Sequence, residues 1–314
     1  MTVFCRRHAW LGALIALALV FPQLAAWLGQ DFYVAFASRV LIWALLASSL
    51  NLLVGVGGMV SLGHAAFYGV GAYVVGIVAT EAPQLSAALI VWPAAVAVSG
   101  LLALAIGAIS LRTRGVYFIM ITLAFAQMLF YVFVSLKAYG GDDGMAIARR
   151  SALPGLNLAN EATFYYVVLA LFALCLYALA RLAASRFGRV LRGIKDNEAR
   201  MESLGYATFR FKLVAIVISG ALAGLAGALM ANLNAYVSPN MLYWDQSGTA
   251  LVMVILGGLG NLWGGLAGAG AYLLFEELAT AVTPHWQIGL GALLLGVVFF
   301  APAGIAGVFT RRRR

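Results

Sequence analysis

The feature that most constrains this chain is the recurrence of apolar runs, each about 20 residues long, with almost no charge inside them. A run of that length crosses the hydrocarbon core of a bilayer as a helix, because the backbone must satisfy its own hydrogen bonds where water is absent. Residues 10–29, 35–56, 60–80, 86–110, 115–137, 162–184, 211–235 and 286–308 all meet the requirement. The composition follows from them: 64% of residues are hydrophobic and 10% charged, with a mean hydropathy of +0.97. Soluble domains carry about 45–50% apolar and about 25% charged residues. A water-soluble fold is therefore excluded, and so is disorder, which needs low hydrophobicity and high charge. The expected fold is an all-α polytopic transmembrane bundle, forming a single domain over residues 1–314. Arg6 and Arg7 precede the first run, as in a secretory signal. That run is long for a signal core and no small-x-small cleavage site follows it, which favours a retained helix.

The net charge of +9 comes from 20 Lys and Arg against 11 Asp and Glu. The basic residues cluster between apolar runs and at the C-terminus, the arrangement that orients membrane helices rather than one that binds nucleic acid. With Arg6 and Arg7 in the cytoplasm, four crossings return the chain to Arg112 and Arg114 on the same side. Two more leave residues 138–161 outside and arrive at 185–212. This is the densest basic segment, holding Arg186, Arg189, Arg192, Lys195, Arg200, Arg210 and Lys212. A cytoplasmic tail, Arg311 to Arg314, then requires an even number of further crossings. Residues 211–235 and 286–308 supply two, so 246–280 crosses twice or not at all. Residues 246–258 would rise only about 20 Å as a helix, short of the roughly 30 Å core. A pair of short helices meeting at Gly257, Gly258, Gly260, Gly264 and Gly265 is expected, giving about ten crossings in all.

A second glycine-rich break lies at 55–67, GVGGMVSLGHAAF. At an offset of 200, Val54, Gly57, Gly58 and Leu62 match Val254, Gly257, Gly258 and Leu262, and the crossing count sends both segments in the same direction. Glycine-interrupted apolar segments in corresponding parts of two halves point to a transport path. Gly57, Gly58, Ser61, Gly63 and His64 in the first break, with Gly257, Gly258, Gly260 and Asn261 in the second, are the candidate pathway or hinge residues. Gly220, Gly224 and the Gly227–Ala228 pair sit instead at the spacing that lets helices pack closely.

Several chemistries are excluded by inventory. The three lysines, Lys137, Lys195 and Lys212, none of which follows a glycine, leave no P-loop. His64 alone among three histidines lies within an apolar run, too few for an internally ligated multi-haem protein, and no HExxH or CxxC occurs. Cys5 and Cys175 are not placed to bridge one another. No catalytic residue, metal or bound cofactor is expected in this chain. Ser61 and His64, three residues apart, raise an intramembrane serine protease, but no oxyanion site or orienting group accompanies them. Asp31, Glu81, Asp142, Asp143, Glu161 and Asp245 fall in or beside loops, and Glu276 and Glu277 at the end of the second broken pair. That scarcity of buried carboxylates argues against an ion-coupled carrier. Energy for uphill movement would come from another chain.

Residues 186–206, RFGRVLRGIKDNEARMESLGY, place Val190, Leu191, Ile194, Met201 and Leu204 at helical spacing, with Gly205 as a stop. An amphipathic helix projecting from a bundle needs a surface for its apolar stripe. Charges of both signs, including Asp196, Glu198 and Glu202, favour a groove in a partner protein over anionic lipid.

Four motifs, in order, carry a family resemblance: GVGGMVSLGHAAFYGVGAY at 55–73, LRTRGVYFIMITLAFAQM at 111–128, GRVLRGIKDNEARMESLG at 188–205 and SPNMLYWDQSGTALVMVILGGLGNLWGG at 238–265. Together they resemble the LivM-type permeases, membrane subunits of bacterial ABC importers for branched-chain amino acids, over residues 45 to 280. The resemblance implies a multi-pass protein of the bacterial inner membrane, and the charge count places both termini in the cytoplasm. It also implies a LivH-like second permease, two cytoplasmic ABC ATPase subunits that use the ATP, and a periplasmic substrate-binding protein. Segment 185–212 holds the coupling position, with Arg189, Arg192, Glu198, Ala199 and Gly205 as candidate coupling residues. Glu198, Ala199 and Gly205 are similar to the EAA-type importer loop, although Arg200 replaces its second alanine and the glycine falls one residue late. An importer permease for urea, amides or aromatic acids, and a carrier working alone, are the competing readings.

Overall fold

The computed structural model describes residues 20–23, 31–261, 263–301 and 304–311. The expected first crossing, 10–29, therefore lies outside the described residues apart from 20–23, as do Cys5, Leu262 and the last three arginines. Helix α1 (Asp31–Asn51) runs directly into a π-helical turn, Leu52–Val56, after which the chain leaves helical structure until α2 (His64–Glu81). Then come α3 (Ala88–Ser110), α4 (Val116–Ser135), α5 (Glu161–Ala184) and two surface helices, α6 (Arg186–Asp196) and α7 (Glu198–Ser203). Helix α8 (Thr208–Asn234) precedes α9 (Trp244–Gly257), α10 (Gly264–Thr280), α11 (Trp286–Phe300) and α12 (Gly304–Arg311). The protein is an all-α polytopic bundle. Among the described residues, five segments are long and apolar enough to cross a membrane: Phe32–Val56, α3, α4, α5 and α8.

The bundle has two chemically distinct ends. At the basic end, Arg114, in the turn between α3 and α4, pairs with Glu198 at 3.8 Å and Glu202 at 3.4 Å. The two loops that charge counting assigns to one side are thus in contact. At the opposite end, a strand β1 (Met145–Ala146) pairs antiparallel with β2 (Tyr236–Val237), and Ala88 N–H donates to the Ala152 carbonyl at 2.7 Å. Arg150 holds this loop down: it pairs with Glu161 at 2.5 Å, donates to the carbonyls of Leu158 and Leu233, and lies over the Phe164 ring.

Region 246–280 is an antiparallel hairpin of 14- and 17-residue helices joined by the glycine-rich bend. Helix α10 runs back along α1, with Gly265 against Ser48 and Glu276 beside Arg39. The chain thus runs in the same direction through both glycine breaks, as the crossing count expected. Segment 186–206 departs from expectation: it is two helices, not one. Asn197 adopts extended backbone and its side chain accepts from Arg200 N–H at 3.0 Å, capping α7. An asparagine competes well for the first orphan donors of a helix and poorly for a place inside one.

Helix α8 occupies the centre, packed between α2 and α3. Helices in lipid gain nothing from expelling water, so contact depends on close van der Waals approach between small residues. Gly224 meets Gly71 backbone to backbone, and a Cβ on Gly71 would overlap the Gly224 carbonyl. Gly227 lies against Tyr68 backbone and Gly220 against Ala103, while Ala95, Ala103, Ala223 and Ala226 are fully buried. Close packing is what these glycines do. Gly71→Val should force α2 and α8 apart at a cost of about 1–3 kcal/mol or more. A thermal-unfolding scan of the detergent-purified protein should show a clear fall in midpoint, whereas Gly248→Ala, where a Cβ meets nothing within 4 Å, should not.

Candidate functional site

The two glycine breaks converge at the basic end, although more than two hundred residues separate them in sequence. Asn51, the last residue of α1, joins them. Its amide Nδ2 donates to the Asn261 carbonyl at 2.8 Å, and its Oδ1 accepts from Gly260 N–H at 2.9 Å. Gly55 packs against the Gly260 backbone so closely that a Cβ there would overlap it. The π turn arises because Gly57 N–H reaches back five residues to the Leu52 carbonyl, and Met59 N–H to that of Leu53. Such turns and helix ends leave carbonyls unpaired, and a lysine is a favourable partner for them. Lys195, from α6, supplies it: Nζ donates to the Gly55 carbonyl at 2.8 Å. Its aliphatic stem crosses Gly58, where a Cβ would come within 2.7 Å of Lys195 Cγ and where the backbone has φ of +68°. On α9 and α10, Gly257 meets Gly264 backbone to backbone, and Gly304 packs on Gly258.

The polar residues beside the first break are structural. Ser61 is buried and its Oγ accepts from Gly63 N–H at 3.2 Å; Leu62 N–H donates to Thr122 Oγ1 of α4. His64 is fully buried and its Nε2 lies 2.9 Å from Ser219 Oγ, which in turn donates to the Ser49 carbonyl. Ser219 directs its hydroxyl hydrogen at the Ser49 carbonyl, which leaves its oxygen to accept from His64 Nε2–H. Ala65 N–H, an orphan of the first turn of α2, is taken by Ser247 of α9 at 2.7 Å. Ser61 and His64 therefore serve separate partners and form no nucleophile–base pair. Among the described residues, no group of three His, Cys, Asp or Glu side chains could hold a metal ion, and Cys175 is a buried free thiol.

The surface helices carry the candidate coupling residues in two orientations. Arg189 and Ala199 face solvent, and Gly205 forms the exposed turn after α7 with φ of +84°. Glu198 turns inward, pairing with Lys212 of α8 at 2.5 Å as well as with Arg114. Arg192 folds back on its own corner, donating to the carbonyls of Ala183 at 2.7 Å and Gly188 at 3.2 Å. Buried Leu191 and Ile194 seat α6 on the bundle, with Leu191 close to Gly57. The apolar stripe of α6 is thus spent on this chain's own core, and the outward face is basic. A cavity of about 460 Å³ lies where α6 meets the bundle, lined by Ser48, Asn51, Leu52, Gly55, Lys195 and Gly260 among others. Three residues of this junction, Asn51, Lys195 and Lys212, escape the sequence-derived set. Asn51 could have been found as the one amide inside the run 35–56.

A polytopic bundle whose two non-helical breaks meet at one end, buried in protein and opening beside a polar cavity, has the build of a membrane transport subunit. The profile of the family described as "Branched-chain amino acid transport system / permease component" matches residues 32–302, and the chain belongs to that family. It is 28% identical to the high-affinity branched-chain amino acid transport system permease protein LivM of Escherichia coli K12, over 96% of this chain and 75% of that protein. A probable LivM of Methanocaldococcus jannaschii is 26% identical over 45% of this chain and 46% of its own length. The permease LivH of Escherichia coli K12 is 29% identical over 39% of this chain and 40% of its own. No solved structure matches.

Asn51→Leu keeps the branched shape but leaves Gly260 N–H unpaired, at a cost of about 1–3 kcal/mol, while the Asn261 carbonyl keeps its bond from Gly264 N–H. Hydrogen exchange at the Gly260 amide should accelerate about tenfold or more, with α3 unaffected.

Proposed function

We propose that this chain is one of two permease subunits of an ATP-driven importer for branched-chain amino acids. In this reading it spans the bacterial inner membrane with the basic end, and both termini, in the cytoplasm. A LivH-like permease completes the path, two cytoplasmic ABC ATPases bind and hydrolyse the ATP, and a periplasmic binding protein delivers the solute. The family and the LivM relatives support the substrate class, and positive-inside counting supports the orientation. The observation that carries the mechanism is the Lys195–Gly55 hydrogen bond, which ties the coupling segment to the point where both glycine breaks meet.

ATPase subunits engage the exposed basic face of α6 and α7, including Arg189, Ala199 and Arg200. Their approach and separation move α6 as a unit, because Arg192 fixes it to the end of α5. The displacement reaches Gly55 through Lys195 and passes to the 257–264 bend through Asn51. Opening and closing of the path at that bend is a rigid-body change of the hinge type. Gly57, Gly58, Gly63, Gly258, Gly260 and Asn261 give the non-helical backbone that such a change uses, Gly257 ends the helix before the second break, and Ser61 and His64 fix the flanks of the first.

Lys195→Met, in the complete importer reconstituted with its binding protein, should lower uptake at least fivefold while ATP hydrolysis persists. Equal loss of both would remove the coupling role from this contact. Arg192→Glu, which frees α6 from the end of α5, and Glu198→Arg, which breaks the pair with Lys212, should each reduce coupled uptake, and intact uptake in both would end the coupling role of this segment. Mild-detergent purification followed by mass spectrometry should recover a second permease and a P-loop ATPase. Recovery of this chain alone, active in liposomes without ATP, would replace the importer with a stand-alone carrier.

A further inference from the structure

A second cavity of about 460 Å³ opens between α1, α9, α10 and α11, in the half of the bundle away from the coupling helices. It contains the unusual charges of this chain. Arg39 comes from within α1, Glu276 from α10 and Asp245 from the first turn of α9. Ionisable side chains carried on membrane-embedded helices are costly, and they mark a site by default. The three are poorly satisfied by one another. Arg39 Nη2 lies 3.8 Å from Glu276 Oε1, beyond hydrogen-bonding distance. Asp245 makes neither an ion pair nor a side-chain hydrogen bond among the described residues. A guanidinium offers a planar fork of five donors. Here that fork faces a cavity, and a structural ion pair would have closed the gap. The remaining walls join the polar Gln246, Thr249 and Gln287 to an apolar side made by Trp43 from α1, Trp286 from α11 in edge contact with Tyr272, and Leu273 and Leu290.

We propose that this cavity is a binding site for a zwitterionic α-amino acid in transit, a site that rests on the importer reading and gives that reading its selectivity within the membrane. The ligand's carboxylate takes the fork of Arg39, its ammonium lies between Glu276 and Asp245, and its aliphatic chain rests on Leu273, Leu290 and Trp286. The volume falls within the usual range of roughly 300–1,000 Å³ for small-ligand pockets. A solute lacking either charge leaves one of these ionised groups without a partner, which is the strongest form of rejection a polar site offers. Urea and simple amides carry neither charge and are therefore excluded.

Saturation-transfer NMR on the purified permease–ATPase complex, without binding protein, tests the site with L-leucine as the probe. L-Leucine should show contact with the protein, while L-leucinamide and 4-methylpentanoate, each lacking one charge, should show at least tenfold weaker contact. Arg39→Gln and Glu276→Gln should each abolish the preference for the zwitterion. Leu290→Trp, which fills the cavity and keeps the charges, should reduce contact with L-leucine itself and guards against misfolding of the charge variants. Absence of contact in the wild-type complex, or contact unchanged in all three variants, overturns the proposal. So does loss of the second permease from the Arg39 and Glu276 variants, which would make the charges a subunit interface. An uptake assay separates the two readings. Transport of a different zwitterion with the same dependence on Arg39 and Glu276 keeps the cavity and ends the branched-chain assignment. Leucine transport with unaltered kinetics in both variants does the reverse.

Discussion

Non-helical backbone inside a membrane must find its hydrogen-bond partners within the protein, because the hydrocarbon offers none. The structure depends on how that demand is met at two places. The first break hands its free carbonyl to Lys195 and its free amides to Ser61 and Thr122. The second hands an amide and a carbonyl to the single side chain of Asn51. Each break therefore leans on something remote as well as on its own residues, and in the first case part of that support is a helix outside the crossing bundle. A local chemical requirement becomes a mechanical connection between a surface helix and the interior.

Much of this arrangement was legible in the sequence, for identifiable reasons. Run length located the long crossings, and basic clusters put Arg112, Arg114 and segment 185–212 at one end, where Arg114 meets Glu198 and Glu202. Glycine clustering found both breaks, and the shortfall in length of 246–258 anticipated the α9–α10 hairpin. Hidden from view were the partners. Nothing in the spacing of Asn51 and Asn261 announces that they touch, since that contact depends on the return of α10 along α1. The break at Asn197 was missed because hydrophobic periodicity ran through it, while capping by its side chain decided the local geometry. Glu198, placed by motif among the coupling residues, is drawn inward by Lys212, a partner 14 positions away on the next helix.

The charges of the chain are sorted by job. At the basic end they bind elements together, as Arg114, Glu198 and Lys212 do, or face outward unpaired, as Arg189 does. At the opposite end Arg150 is saturated by a carboxylate, two carbonyls and an aromatic face. Arg39 has the same chemistry and almost none of that saturation. The contrast between two arginines of one protein separates an architectural role from a receptive one more clearly than either residue does alone.

The backbone contacts of α8 with α2 carry a mechanical consequence. Dispersion attraction decays so steeply with distance that a gap of 0.5–1 Å forfeits roughly a quarter to a half of it. Where Gly71 meets Gly224 and Gly227 meets the Tyr68 backbone, no side chain stands between the helices to re-pack across a widened gap, and the contact has no soft intermediate states. It behaves as a weld. Helices α2, α3 and α8 therefore form the stator of the molecule, and whatever turns in the transport cycle must turn against them, through joints made of hydrogen bonds rather than through seams made of packed backbone.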